Sequence, residues 1–415
     1  MSHLGIVSLI SLATKNIQCF GFDLNIRLVN ELKNNNWPIE EPGISEAYES
    51  SKDSITFTSD LTKLKECQII YISQDVLTDN FGRSDLSEIE NLIILAAQNI
   101  AKAARLVILC QVPPGFTRKM KKYHSNISYQ VETLVFGEAL SRASNPERII
   151  IGIEEPSLSL DSNYSMLLES FMCPVITLNY ESAEFTKISI NAFLAASIIT
   201  TNSLNEIGKS VGANWSGVKR ALQLDRRIGE YAYLNPGLGI SGGNIERDLQ
   251  TLDELALSND SGGVSIFRTY LNSSQRQKNW IIDTITENII NHNSKAKIGI
   301  LGIAYKVNTS STKNSIALVI AKKFSGNIIG AYDPLAVLPQ DLSNIRIFDS
   351  LNECILAADA VVILTPWPEF STLDFSQLAK ENKEIFTIID PYGICNSDML
   401  PKNVKIKTLV EIENK

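Results

Sequence analysis

Residues 233–248 read Tyr-Leu-Asn-Pro-Gly-Leu-Gly-Ile-Ser-Gly-Gly-Asn-Ile-Glu-Arg-Asp. Four glycines in so short a run let a backbone fold tightly around a ligand. The closing Glu246-Arg247-Asp248 sets charges beside a backbone able to approach a polar group closely. Glycine content alone is equally compatible with a Pro-Gly surface loop. Working outward, one set of apolar runs alternating with helical patterns precedes the stretch, a second set follows it, and a long helical region stands between them.

The 415 residues exceed one core of ordinary size, so two or three domains are expected. A net charge of −8 without long basic runs argues against a general nucleic-acid binder. No stretch approaches the roughly 20 apolar residues of a membrane span. The apolar run from Ile6 to Ala13 has no preceding Lys or Arg and no good cleavage site, so it reads as a buried helix rather than a signal peptide. Six scattered cysteines suit reduced thiols in the cytoplasm. Three histidines give no metal-ligand spacing.

The chain opens with a helical pattern over Leu4 to Ala13 and a strand-like run, Ile17 to Phe22, ending on Asp23. An acidic residue closing a strand is what a dinucleotide-binding fold uses to hold a ribose hydroxyl. Apolar runs at 68–73, 106–111 and 148–153 alternate with helical stretches such as 86–104, which predicts parallel strands with crossover helices. A helix is expected from Ser182 to about Val211, with Lys187 and Asn191 on one face. A surface pair between Lys187 and Glu184 is the plainer alternative. The neighbouring Arg226 and Arg227 suit either a phosphate or an exposed ion pair. The second set of strands is expected at 297–302, 328–332, 360–364 and 386–389, each stopping at a polar or proline-containing turn. Ligands of open α/β sheets gather at such strand ends.

A dinucleotide domain should start with a strand running into Gly-x-Gly-x-x-Gly at the first helix. If Gly5 is the third of those glycines, Ser2 stands at the second and the first would precede Met1. A central strand would then be missing, leaving its neighbours' backbone groups without partners. Either the open reading frame extends upstream, which is the expectation, or this domain is damaged and its hold on a pyrophosphate weakened.

From Gly5 to about Leu400 the chain resembles the UDP-glucose/GDP-mannose dehydrogenase family. The matching pieces are Glu41-Pro42-Gly43, Val112-Pro113-Pro114-Gly115, Asn145-Pro146-Glu147-Arg148, Asn191-Ala192-Phe193-Leu194-Ala195, Arg227-Ile228-Gly229, Pro236-Gly237-Leu238-Gly239, Lys306 with Asn308-Thr309, and Trp367-Pro368-Glu369-Phe370. The resemblance implies an α/β fold of two Rossmann-like parallel-sheet domains joined by a central helical region. Its expected divisions are an NAD domain at 1–180, a helical and dimerisation region at 181–290, and a UDP-sugar domain at 291–415. It also implies a homodimer that oxidises a sugar C6 alcohol with NAD. Carried over by position, Lys187 and Asn191 would stabilise an oxyanion and orient water, Asp248 would assist proton transfer, and Glu132 would help the water that releases the acid. Asn235, Gly237, Gly239 and Ser241 would wrap the sugar nucleotide with Tyr305 and Lys306, and Arg227 would reach in from a partner subunit. Gly5, Asp23, Gln111 and Lys313 would face NAD.

Where that family places its nucleophilic cysteine, the chain has Asn244, and no cysteine lies between Cys173 and Cys354. An amide cannot form a thiohemiacetal. Cys110, at a strand end, reads as a packed thiol rather than a relocated nucleophile. Val76-Leu77, Gln111, Lys313 and Tyr392 also depart from the family pattern. Two function classes follow: a nucleotide-sugar 6-dehydrogenase that stops at the aldehyde, or a pseudoenzyme that binds sugar nucleotide and dimerises in a regulatory role. Sugar-nucleotide binding is expected to outlast NAD binding.

Overall fold

The computed structural model describes residues 1–78, 84–258, 265–342, 345–373, 386–395 and 400–410. The chain divides into two compact units, Met1–Ile190 and Asn191–Lys415.

The first unit opens on helix His3–Ala13, started by Ser2, whose hydroxyl accepts the Gly5 N–H. Ile6, Val7 and Ile10 are fully buried, as the apolar run requires. Strand Cys19–Phe22 pairs in parallel with Ile55–Thr58 and forms a two-stranded ladder. A separate five-stranded sheet runs in the order Ile69–Ile72, Arg105–Ile108, Ile127–Gln130, Ile149–Ile153, Val175–Asn179. Every residue of Arg105–Ile108 and Ile149–Ile153 is buried, as their near-continuous apolar character implies. Within this sheet the expected parallel pairing fails between Ile127–Gln130 and Ile149–Ile153, which are antiparallel. The connection between them holds only the helix Ala139–Ser144. At about 1.5 Å per residue, that helix is too short to return the chain to the far end of the sheet.

The second unit holds a six-stranded parallel sheet in the order Arg346–Ile347, Ile328–Tyr332, Ile298–Leu301, Ala360–Ile363, Phe386–Asp390, Val404–Thr408. From Ile298–Leu301 the chain builds first to one side and then to the other. That places a topological switch point at the carboxyl ends of Ile298–Leu301 and Ala360–Ile363, where open α/β sheets form their ligand crevice. Tyr305 and Lys306 follow that point within a few residues. Among the described residues, no helix is long and apolar enough to cross a membrane.

Candidate functional site

The 233–243 loop is bound down along its length. The Tyr233 carbonyl accepts from Ser197 (3.1 Å) and Thr201 (2.9 Å), and the Leu234 carbonyl from the Trp215 indole (3.0 Å). The Gly237 N–H donates to Asn202 Oδ1 at 2.9 Å, and the Ile240 N–H to Ser274 Oγ at 2.9 Å. Leu238 and Ile240 are buried beneath it. Gly239 has φ +85° and lies against Ser274, where no side chain fits. Gly242, at φ +83°, lies against the Tyr305 ring, and Gly243 against the Lys313 side chain. The loop therefore brings Tyr305 and Lys313 together, with the Lys306 ammonium 5.9 Å from the Tyr305 ring centre. Gly237 rests on the ring of Tyr392, whose hydroxyl donates to the Leu364 carbonyl at 2.9 Å. Ser241 ends this fixed segment. Asn235 is exposed, and its Oδ1 accepts from Lys219 at 2.6 Å.

Glu246-Arg247-Asp248 is not part of the loop. Helix Asn244–Ser258 begins before them and carries these residues. Glu246 pairs with Lys278 at 2.5 Å and accepts from Asn314, so its charge serves packing. Arg247 and Asp248 are buried, with Arg247 Nε 3.6 Å from Asp248 Oδ1. Buried Asn191 donates its amide to Asp248 Oδ2 at 2.6 Å. A buried carboxylate fixed by an amide on one oxygen and neighboured by a guanidinium on the other is pre-oriented for proton transfer. Asn244, exposed at the helix start, stands one turn before Asp248 on the same face.

Helix Tyr180–Ser210 carries Lys187 and Asn191 one turn apart, as expected. Glu184, the surface partner of the plainer reading of Lys187, is itself fully buried and accepts the N–H groups of Gly115 (2.5 Å) and Thr117 (2.7 Å). Within the first unit, burial pushes the Glu132 carboxyl up and the Lys187 ammonium opposes that shift most. Gln111 follows strand Arg105–Ile108 and is half-buried. Asp23, just past Cys19–Phe22, accepts the Asn25 N–H at 2.8 Å and contacts the Met1 ammonium. A Cβ on Gly5 would stand 2.6 Å from Ser73 Oγ, so helix and strand approach closely there. Arg227 is exposed and paired with Asp225 at 2.6 Å, the simpler of its two expected uses.

Asp333 follows strand Ile328–Tyr332, and its carboxylate accepts from the N–H groups of Ile303 (2.6 Å), Ala304 (2.9 Å), Leu335 (2.9 Å) and Ala336 (2.8 Å) and from the Trp367 indole (3.1 Å). It clamps three loops of the second unit. Sequence reasoning missed Asn202, which holds the loop. It lies eleven residues, three helical turns, after Asn191, and that spacing was the available signal.

Profiles of the UDP-glucose/GDP-mannose dehydrogenase family match the chain in three parts: its NAD binding domain over residues 1–171, its central domain over 181–273 and its UDP binding domain over 299–397. The chain belongs to this family. Among relatives of this dehydrogenase family, the UDP-glucose 6-dehydrogenase of Caenorhabditis elegans is 28% identical over 406 residues, covering 89% of this chain and 84% of that one. The UDP-glucose 6-dehydrogenase of Rickettsia bellii is 27% identical over 416 residues, covering 95% and 94%. The solved UDP-D-ManNAc dehydrogenase of Pyrococcus horikoshii superposes with a TM-score of 0.83 at 22% identity, over 98% of this chain and 97% of that one. The UDP-glucose dehydrogenase of Pyrobaculum islandicum gives 0.81 at 21%, over 99% and 96%. At these identities the structures establish a shared fold.

Family membership sharpens the question of the nucleophile, since the resemblance puts Asn244 at the cysteine position. Burial pushes the Cys19, Cys110 and Cys354 thiols up to about 12 and also raises Cys67 and Cys395. A catalytic thiolate needs the opposite shift. Cys110 is buried and its thiol donates to the Ile72 carbonyl at 3.3 Å, a packed side chain as expected.

Proposed function

We propose that the chain oxidises the C6 hydroxyl of a UDP-glucose-like nucleotide sugar with NAD and releases chiefly the 6-aldehyde or its hydrate. The observation that carries this reading is the buried Asn191–Asp248 pair one helical turn from Asn244. That pair supports a role in moving a proton, while the position expected to bond covalently holds an amide.

Asp23 at a strand end and the close helix-to-strand approach at Gly5 fit the ribose end of NAD, with a ribose hydroxyl taking the place of the Met1 ammonium. Gln111 and Lys313 are proposed as further cofactor contacts. Bound NAD supplies the acceptor for the hydride leaving C6. Lys187 stabilises the alkoxide that develops on the C6 oxygen, a preorganised charge of the kind that dominates such steps. Asp248 takes the hydroxyl proton, its carboxylate aimed by Asn191. Glu132 carries the proton of a water adding to the aldehyde. Positioning a water forgoes a strong nucleophile, so further oxidation is slow.

The loop residues Asn235, Gly237, Gly239 and Ser241, with Tyr305 and Lys306, hold the nucleotide beside the switch point. The exposure of Arg227 supports a homodimer in which it serves the partner's substrate. The three-part division at 180 and 290 remains our division by role. A second reading, a sugar-nucleotide-binding pseudoenzyme, is favoured by the divided sheet of the first unit. Incubating pure protein with NAD and UDP-glucose, following absorbance of NADH and identifying the product by mass spectrometry, tests the proposal. Aldehyde with NADH supports it. UDP-glucose binding with no NADH overturns it in favour of the pseudoenzyme.

A further inference from the structure

Gly237, in the middle of the candidate binding loop, is held from two sides within the second unit. On one side the Tyr392 ring lies against it, and Tyr392 follows strand Phe386–Asp390, where the Asp390 carboxylate accepts the Tyr392 N–H at 3.0 Å. On the other side its N–H donates to Asn202 Oδ1 at 2.9 Å. One turn further along helix Tyr180–Ser210, Asn205 Nδ2 donates to the Leu409 carbonyl at 3.1 Å, and a turn beyond that Lys209 Nζ donates to the Thr408 carbonyl at 3.4 Å. Strand Val404–Thr408 pairs in parallel with Phe386–Asp390, with Thr408 opposite Asp390. The ends of two neighbouring strands thus lead to one glycine, the first through a ring and the second through two asparagines.

The path through the asparagines has a gap. Asn202 and Asn205 are each 3% exposed, yet Asn202 Nδ2 and Asn205 Oδ1 meet no hydrogen-bond partner among the described residues. Neither amide can be turned over to help. Reversed, Asn202 would point its NH2 at the Gly237 N–H, and Asn205 its oxygen at the Leu409 carbonyl. What is left is one donor and one acceptor, three residues apart on a helix face where side chains are neighbours. Buried groups of this kind are rarely left unpaired.

We infer that a single bound water joins them, donating to Asn205 Oδ1 and accepting from Asn202 Nδ2, and that Asn205 is thereby a positioning residue for the loop. A water matches both groups at once because it donates and accepts, whereas a cation or an anion would satisfy only one of them. The chain Gly237–Asn202–water–Asn205–Leu409 ties the loop to the strand Val404–Thr408. That the loop holds a nucleotide sugar rests on the function proposed above; the link itself does not.

A crystal structure that resolves ordered solvent should show one water within about 3.2 Å of both atoms. No water there, or the two amides bonded directly to each other, overturns the inference. Two variants separate the link from general stability, read by residue-resolved amide hydrogen exchange of the full chain without substrate. Asn205→Leu fills the space with an apolar group and strands Asn202 Nδ2, so exchange at Gly237 should rise about tenfold, while Ile240, which Ser274 holds, and Phe386–Asp390 stay within about twofold of the parent. Asn205→Ala leaves room for a second water in place of the amide and should raise exchange at Gly237 by only about threefold. Unchanged exchange at Gly237 in Asn205→Leu overturns the positioning role, as does a uniform rise over Gly237, Ile240 and Phe386–Asp390. Equal rises in the two variants overturn the water. UDP-glucose added to the parent should slow exchange at Gly237; if it does not, the function proposed for the loop fails while the Asn202–Asn205 link stands.

Discussion

Replacing Gly239 by alanine tests the binding loop where its geometry is most constrained. At φ +85° an L-residue costs roughly 1–2 kcal/mol. The new Cβ would also stand 2.9 Å from the Ser274 carbonyl oxygen and 3.2 Å from its Cα. Ser274 is buried within helix Ile266–Ile285, so the main chain on that side cannot retreat without breaking the helix. The loop must lift, and the 2.9 Å bond from the Ile240 N–H to Ser274 Oγ is lost with it, for about 1 kcal/mol more. Together these give about 2–3 kcal/mol, or roughly 30- to 150-fold weaker binding of UDP-glucose. Gly229→Ala is the matched control: its φ is +90°, but a Cβ there meets nothing within 4 Å. Calorimetric titration of both variants with UDP-glucose decides. If Gly239→Ala binds as tightly as Gly229→Ala, the clash with Ser274 does not shape the site and the reasoning fails.

Two further predictions concern charge. Burial raises the Glu132 carboxyl, so activity that needs the carboxylate should be lost as pH falls through a value above the usual glutamate range. Glu132→Gln should abolish that acid limb, and Lys187→Ala, removing the main opposing charge, should move it higher. A limb that moves down in Lys187→Ala contradicts the assignment. Asp333→Ala should destabilise the second unit by about 3–5 kcal/mol, because it strands four N–H groups and an indole donor that are otherwise satisfied. Asp333→Asn, keeping one acceptor, should cost less. Equal melting temperatures for Asp333→Ala and the parent would remove the clamp.

Strands whose residues are buried throughout, such as Arg105–Ile108 and Ile298–Leu301, were legible because burial on both faces demands an unbroken apolar run. Ile127–Gln130 was not, since Ser128 and Gln130 interrupt the apolar character and Ser128 is buried by tertiary packing. The helix start at Asn244 was hidden by Gly242-Gly243, which continues the look of a turn. Glu184 shows the limit of local spacing: Lys187 is one helical turn away, but the N–H groups of Gly115 and Thr117, some seventy residues distant, hold the carboxylate. Asp333 shows the converse. A polar residue at a strand end suggested a ligand, and only the fold could reveal that five internal donors occupy it.

The most direct measurement of the proposed chemistry counts NADH formed per UDP-glucose consumed, in the parent protein and in Asn244→Cys side by side. With an amide at that position only the first oxidation should proceed readily, giving about one NADH per sugar. A thiol restored one helical turn before Asp248 should raise the ratio toward about two, with uronic acid as product. Two NADH per sugar in the parent protein, formed as fast as in Asn244→Cys, would contradict the claim that Asn244 sets where the reaction stops.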